Sequence, residues 1–230
     1  MIPLVLLPGM MCDARLFGPQ IAAFSAERPI YLGTLTRHET MLALAAEVLS
    51  HAPPHFALAG LSMGGIVAME MLRQAPERVE RLALLDTNPL AEPPAVRARR
   101  EPQIARALAG GLARVMREEM KPNYLAGGIH DPAILNVCME MALSLGPEVF
   151  ARQSRALATR PDQQDTLRRS CGPTLILVGE DDRLCPRDRH ELMHALAPRS
   201  RLVVIAAAGH LPTLEQPEET NAALSRWLAE

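Results

Sequence analysis

The chain has 230 residues, 48% hydrophobic and 22% charged, with a net charge of −2. It is long enough to bury a substantial core without a disulfide or metal staple, and the lack of a basic excess argues against a nucleic-acid or anionic-membrane partner. Aromatic residues make up only 3%, too few for an aromatic cage around a quaternary ammonium or for stacked sugar platforms.

The first apolar run, Pro3-Leu-Val-Leu-Leu7, is too short for a signal core, has no basic lead, and reads as a buried strand. Further strands are predicted near 29–32, 55–60, 80–86, 173–178 and 201–206, with helices near 15–25, 39–51, 64–74, 186–196 and 217–229. Strand and helix alternate, which predicts an α/β fold with a doubly wound, mainly parallel sheet of about six strands. From about Asn88 to Ser170 the alternation stops, and apolar residues recur at helical spacing, as in Ile134, Val137, Cys138, Met141 and Ala142. Gly110-Gly111, Gly127-Gly128 and Gly146-Pro147 divide this interval into three or four helices. The expected organisation is one domain over 1–230 carrying a helical cap inserted at about 88–170. Arg97, Arg99 and Arg100, with Glu92 and Glu101 beside them, read as a solvated helix face.

No segment reaches the roughly 20 apolar residues of a membrane span. Cys12, Cys138, Cys171 and Cys185 are far apart and have neither metal-ligand nor disulfide-framework spacing. A reduced, cytoplasmic protein without metal or cofactor is expected, and nothing in the sequence bears on its oligomeric state.

The chemistry concentrates in Gly60-Leu61-Ser62-Met63-Gly64, which follows an apolar run and precedes a helical stretch. By itself Gly-x-Ser-x-Gly arises by chance in roughly one chain of this length in ten or twenty. The strand-turn-helix setting is what gives it meaning. A serine hydroxyl is a poor nucleophile at neutral pH and must be held at an exposed, sharp turn where a base can reach it. Later in the chain, Gly179-Glu-Asp-Asp182 and Ala208-Gly209-His210 each follow a predicted strand. In a parallel sheet the carboxyl ends of strands share one edge, so Ser62, an acid and His210 can converge there. Of the seven histidines, His210 is the one that follows glycine at the end of a late strand.

These motifs, together with Leu7-Pro-Gly-Met-Met-Cys-Asp13 and Gly209-His-Leu-Pro-Thr-Leu-Glu-Gln-Pro-Glu218, resemble α/β-hydrolase-fold serine hydrolases over essentially the full length. That family includes carboxylesterases, enol-lactonases, carbon–carbon bond hydrolases and cofactor-free haloperoxidases. The resemblance implies a nucleophile Ser62, a base His210 and an acid, in that chain order. Asp181, Asp182 and Asp86 compete for the acid. Asp182 is favoured because it takes the fourth position of the Gly-x-x-Asp motif, which leaves Asp181 as a loop residue and Asp86 as a turn acid. The backbone N–H groups of Met63 and Met10 are expected to receive the oxyanion. Relatives commonly have His-Gly where this chain has Pro8-Gly9, and they often begin with an antiparallel hairpin, so the resemblance implies a trimmed N-terminal sheet.

The cap is read as an apolar, methionine-bearing roof over the site, with Met10, Met11 and Met63 forming a soft wall if they face the pocket. A small carboxylic ester or lactone is the expected substrate. The alternative is a carbon–carbon hydrolase or enol-lactonase, with Arg152, Arg155 and His130 as candidates to hold a carboxylate. A small-ligand receptor on a hydrolase scaffold is the non-enzymatic alternative.

Overall fold

The computed structural model describes residues 1–127 and 131–230. His130, and Gly128 of the predicted break, lie outside the described residues. The first half runs β1 (Leu4–Leu7), α1 (Gly18–Phe24), β2 (Ile30–Leu32), α2 (Met41–His51), β3 (Phe56–Leu61), α3 (Met63–Gln74) and β4 (Val79–Leu85). Helices follow: α4 (Pro94–Arg106), α5 (Leu112–Val115), α6 (Pro132–Leu145), α7 (Pro147–Ala158) and α8 (Gln164–Arg168). The chain then resumes alternation through β5 (Thr174–Gly179), α9 (Arg187–Leu196), β6 (Ser200–Ile205), α10 (Pro212–Glu215) and α11 (Pro217–Ala229).

The largest departure from the predicted elements is at the first helix, expected over 15–25. A 3-10 turn over Ala14–Phe17, capped by Asp13 accepting from the Arg15 N–H, comes first, and α1 starts afresh at Gly18. Pro19 has no N–H to donate back into that turn, so it suits a helix start and not a helix interior.

The described strands form one six-stranded sheet in the order β2-β1-β3-β4-β5-β6, with every neighbouring pair parallel. β1, β3 and β5 are buried along their whole length, which accounts for their unbroken small and apolar sequences. The chain moves outward from β1 to β2, returns to β3, and then proceeds to β6. The winding therefore reverses between β1 and β3, and the loops leaving their carboxyl ends diverge around a crevice. The loop after β1 and the turn holding Ser62 flank that crevice. No single helix among the described residues is long and apolar enough to cross a membrane. The apolar pair α6 and α7 bends by 96° at its junction.

A buried histidine ties the second half of the sheet to this crevice. His190 on α9 is fully enclosed, and its Nε2 accepts the Thr87 N–H at 3.1 Å while Nδ1 lies 3.3 Å from the Pro186 carbonyl. Thr87, just past β4, passes the constraint on by donating its hydroxyl to the Ser62 carbonyl at 2.6 Å. An acceptor at Nε2 requires a neutral ring with its proton on Nδ1. Burial, partly offset by the Pro186 carbonyl, pushes the His190 pKa down from 6.5 to about 4. The unfolded chain takes up this proton near pH 6.5, whereas the folded chain resists it until about pH 4. The associated stability is therefore complete above that window and is lost as pH falls through it.

Urea unfolding across this window should give a free energy that drops by about 1.4 kcal/mol per pH unit more steeply in wild type than in His190→Gln. Glutamine keeps an acceptor for Thr87 without the titration. Equal slopes in the two proteins would show that His190 is not held neutral.

Candidate active site

β3 ends in Gly60-Leu61 and α3 begins at Met63, so Ser62 alone makes the turn between them, with φ 54° and ψ −116°. For a residue other than glycine this is a strained backbone, of order 1–3 kcal/mol, that survives only where the surroundings fix it. Several contacts do so. The Ser62 N–H donates to the Leu85 carbonyl at 2.9 Å, and its own carbonyl accepts from Thr87 and from the first turn of α3. The close approach of helix to sheet depends on missing side chains: a Cβ on Gly60 would lie 2.3 Å from the Gly64 carbonyl oxygen, and one on Gly64 2.0 Å from that of Leu7. The flanking glycines are therefore steric requirements.

β6 delivers His210 through the loop Ala206–Leu211. The ring is almost fully buried; its Nε2 lies 2.9 Å from Ser62 Oγ and its Nδ1 2.9 Å from Asp182 Oδ2. Of the acids weighed from sequence, Asp182 is the one brought to the histidine. Its other oxygen, Oδ1, accepts the N–H groups of Leu184 and Cys185 at 2.8 and 3.0 Å. Burial opposes its ionisation, but His210 and these N–H donors outweigh burial and hold its pKa below the ordinary value. Asp181 is exposed.

Asp86 is more than the expected turn acid. It is completely buried at the end of β4 with φ 45°, and its Oδ1 accepts the Gly179 N–H at 2.8 Å, while Oδ2 has no partner among the described residues. Burial first, and then the charge on Asp182, push its pKa well up. The two neighbouring carboxyls are thus pushed in opposite directions, Asp182 toward its charged form and Asp86 toward its protonated one.

The loop after β1 lies against the Ser62 turn, and a Cβ on Gly9 would be 3.5 Å from Ser62 Cβ. Among the described residues no hydrogen bond engages the N–H of Met10 or of Met63. Both are thus free to serve a ligand beside Ser62. Met11 does not join Met10 and Met63 on the pocket wall. It is turned into the core at φ 57°, and its N–H donates to Gln153 Oε1 at 2.8 Å. Gln153, buried on α7, donates in turn to the Leu35 carbonyl at 2.8 Å. This brace joins residues 142 positions apart, and a lone glutamine in an amphipathic helix gives no sequence signal for it.

The serine opens into a cavity of about 410 Å³. Its helical side differs from the expected apolar roof. Met120 and Leu157 contribute, but so do Arg99, Arg100 and Arg160. Arg100 is not solvated as expected: Glu92 pairs with it and with Arg160. Arg97 and Arg99 on the same helix are exposed, as expected, although Arg99 also borders the cavity. Arg152 and Arg155 are directed elsewhere, to the Thr36 carbonyl and to Glu39, and do not line the cavity.

Asp182, Cys185 and His210 bring potential ligand atoms within 4.8 Å of one another. A metal there would have to break the Asp182–His210 bond. Burial first, and then the charge of Asp182, keep the Cys185 thiol protonated. The donor set suits proton transfer better than metal binding.

Sequence reading also missed Glu215. Its carboxylate accepts the N–H groups of Gly209 and Leu211 at 3.0 Å and that of Ala126 at 2.8 Å, clamping both sides of His210. The His210 N–H itself donates to the Tyr124 carbonyl at 2.7 Å, and the Tyr124 ring stacks near the imidazole with centroids 6.4 Å apart. The signal was present in the stretch Gly209–Glu218, where an acid follows the histidine within one short helix. Glu215→Gln turns an amide NH₂ toward backbone N–H groups and should loosen the loop. Because a misplacement of about 1 Å can cost about 10²-fold, the rate of covalent labelling at Ser62 should fall by that order with the circular dichroism spectrum unchanged. An unaltered labelling rate would show that the clamp does not position His210.

The model of the alpha/beta hydrolase family matches residues 4–223. A pimeloyl-[acyl-carrier protein] methyl ester esterase of Xanthomonas oryzae pv. oryzae is 28% identical, over 98% of this chain and 94% of its own. Among solved structures, a thermophilic esterase from Thermogutta terrifontis superposes with a TM-score of 0.90 at 30% identity, covering all of this chain and 90% of its own. An enol-lactonase from Burkholderia xenovorans shares the fold, with a TM-score of 0.88 at 20% identity over 100% of this chain and 92% of its own. With nearly its whole length matched by the family model, the chain belongs to the alpha/beta hydrolase family.

Proposed function

We propose that the protein is a serine-dependent carboxylic ester hydrolase acting on a small-molecule ester or lactone. The observation that carries this reading is the unbroken chain of hydrogen bonds from Ser62 Oγ through His210 to Asp182, 2.9 Å at each step. Esterases among the relatives, at 28% and 30% identity, support the same reaction class.

In this reading Ser62 Oγ attacks the acyl carbon as His210 Nε2 takes its proton. The charge on the former carbonyl oxygen passes to the N–H groups of Met10 and Met63, the second of which lies at the positive end of α3. Collapse of the tetrahedral adduct breaks the bond to the leaving oxygen, which receives the proton from His210. Water then attacks the acyl-enzyme with His210 again as base, releasing the acid and restoring Ser62. Asp182 stays ionised throughout and balances the imidazolium. Burial and the charge on Asp182 bias Asp86 toward its protonated form, which limits the negative charge beside Asp182. The helices between β4 and β5 act as a cap that closes the pocket above Ser62.

A fluorophosphonate probe should label Ser62 at neutral pH, and labelling should vanish in Ser62→Ala. Persistent stoichiometric labelling of that variant, or no labelling of folded wild type, would remove the serine-hydrolase reading. Asp182→Asn should lower kcat by about 10⁴-fold, since it misorients the base. Asp181→Asn, an exposed position, should cost far less. The reverse ranking in steady-state assays would move the acid to Asp181.

A further inference from the structure

The cavity beside Ser62 has two kinds of wall. Leu61, Met63, Ile66, Met120 and Leu157 make one part apolar. Among the described residues four arginines reach the other: Arg99 and Arg100 on α4, Arg160 just past α7, and Arg189 on α9. The wall contains a single carboxylate to balance them, Glu92.

Glu92 is already shared. Its side chain is 2% exposed and sits between Arg100 Nε and Arg160 Nη1, the latter at 2.7 Å, with those side chains 13% and 8% exposed. The Arg160 Nε donates to the Leu90 carbonyl at 2.9 Å, which fixes the guanidinium without neutralising it. Two enclosed guanidiniums on one carboxylate leave a net positive charge in a low dielectric, an arrangement that is costly without a further counter-charge. Arg99 has no ion pair among the described residues, and Arg189 touches only its exposed neighbour Asp188, at 3.4 Å. The excess charge therefore has no protein partner among the described residues: Arg99 is exposed and Arg189 part-exposed, and both border the cavity.

An ester group is neutral and gives this wall no charge to pair with. Resting on the ester-hydrolase reading above, we propose that the substrate carries an anionic group, a carboxylate or phosphate, remote from its scissile carbonyl. The arginine wall receives that anion while the apolar wall covers the methylenes between. Guanidiniums pair with such oxygens through directed, charge-assisted hydrogen bonds. Their field also draws an anion into the cleft, so the preference weakens as salt rises.

The test compares activated esters of octanoate, of the suberate half-acid of equal chain length, and of an alkanoate of similar length ending in a phosphate monoester. Wild type should favour one or both anionic esters by about ten- to a hundredfold in kcat/KM, the range of a charge-assisted hydrogen bond, chiefly through KM. The better of the two anionic esters identifies carboxylate or phosphate. The preference should shrink in high salt. It should fall toward unity in the Arg99→Gln/Arg189→Gln double variant and be largely kept in Arg99→Lys. Arg97→Gln, on the same helix but outside the cavity, should leave it intact. Hydrolysis of octanoate at least as well as of both anionic esters, or an equal loss for all three in the double variant, would overturn the anion site while leaving the hydrolase. If no ester is turned over and the fluorophosphonate probe leaves Ser62 unlabelled, the hydrolase reading itself fails.

Discussion

Everything in the site hangs on how closely the first turn of α3 approaches the ends of β1 and β3. With no side chain at Gly64, the helix start lies against the Leu7 carbonyl, where a Cβ would come within 2.0 Å. Met10 and Met63, whose N–H groups have no hydrogen bond among the described residues, line the cavity beside Ser62, which sits in a positive-φ turn. The strain is distributed among contacts that begin far away: Leu85 on β4, Thr87 beyond it, and His190 on α9. The sheet topology sets the location and the glycine contact sets the geometry, and neither would be sufficient alone.

Around His210 the protein solves an electrostatic problem. Asp182, Asp86 and Glu215 all approach the same region, and three charges there would repel one another. The carboxylates have different partners. Asp182 has the imidazole and two backbone N–H groups; Glu215 has the N–H groups of Gly209, Leu211 and Ala126; Asp86 has the Gly179 N–H on one oxygen alone. Asp86, fully buried and bonded on one oxygen alone, is pushed toward its protonated form, as the cost of burying an unpaired charge requires. Two identical side chains, Asp86 and Asp182, thus have their pKa values pushed in opposite directions by burial and by the donors each can reach.

The local part of this design was legible in the sequence. The Ser62 turn, the strand ends bearing Asp182 and His210, and the six parallel strands follow from apolar runs, glycine placement and chain order. What escaped was contact between residues distant in sequence. Gln153 reaches Met11, and Arg160 and Arg100 share Glu92. No spacing rule relates these positions, because their meeting depends on how the helices after β4 pack on the sheet. Arg100 shows the limit clearly: in one run of arginines with glutamates nearby, Arg97 and Arg99 stay exposed while Arg100 is drawn onto the buried Glu92. Helical phase could have distinguished the two settings only if the direction of the pocket were already known.

The link between the His210 loop and the segment at Tyr124–Ala126 has a consequence for how such chains diverge. The His210 N–H binds the carbonyl of Tyr124, and the Glu215 carboxylate binds the N–H of Ala126. On the helical side both partners are main-chain groups, which every residue but proline supplies in full. Apart from the Tyr124 ring, which stacks near the imidazole, side chains there can therefore drift without breaking these bonds to the base loop, provided that the path of the main chain is kept. Insertions or deletions within this stretch are the changes to which the site is intolerant. A graft of the helices from one relative onto another would succeed or fail on the register of those few peptide groups, whatever the similarity of the residues that carry them.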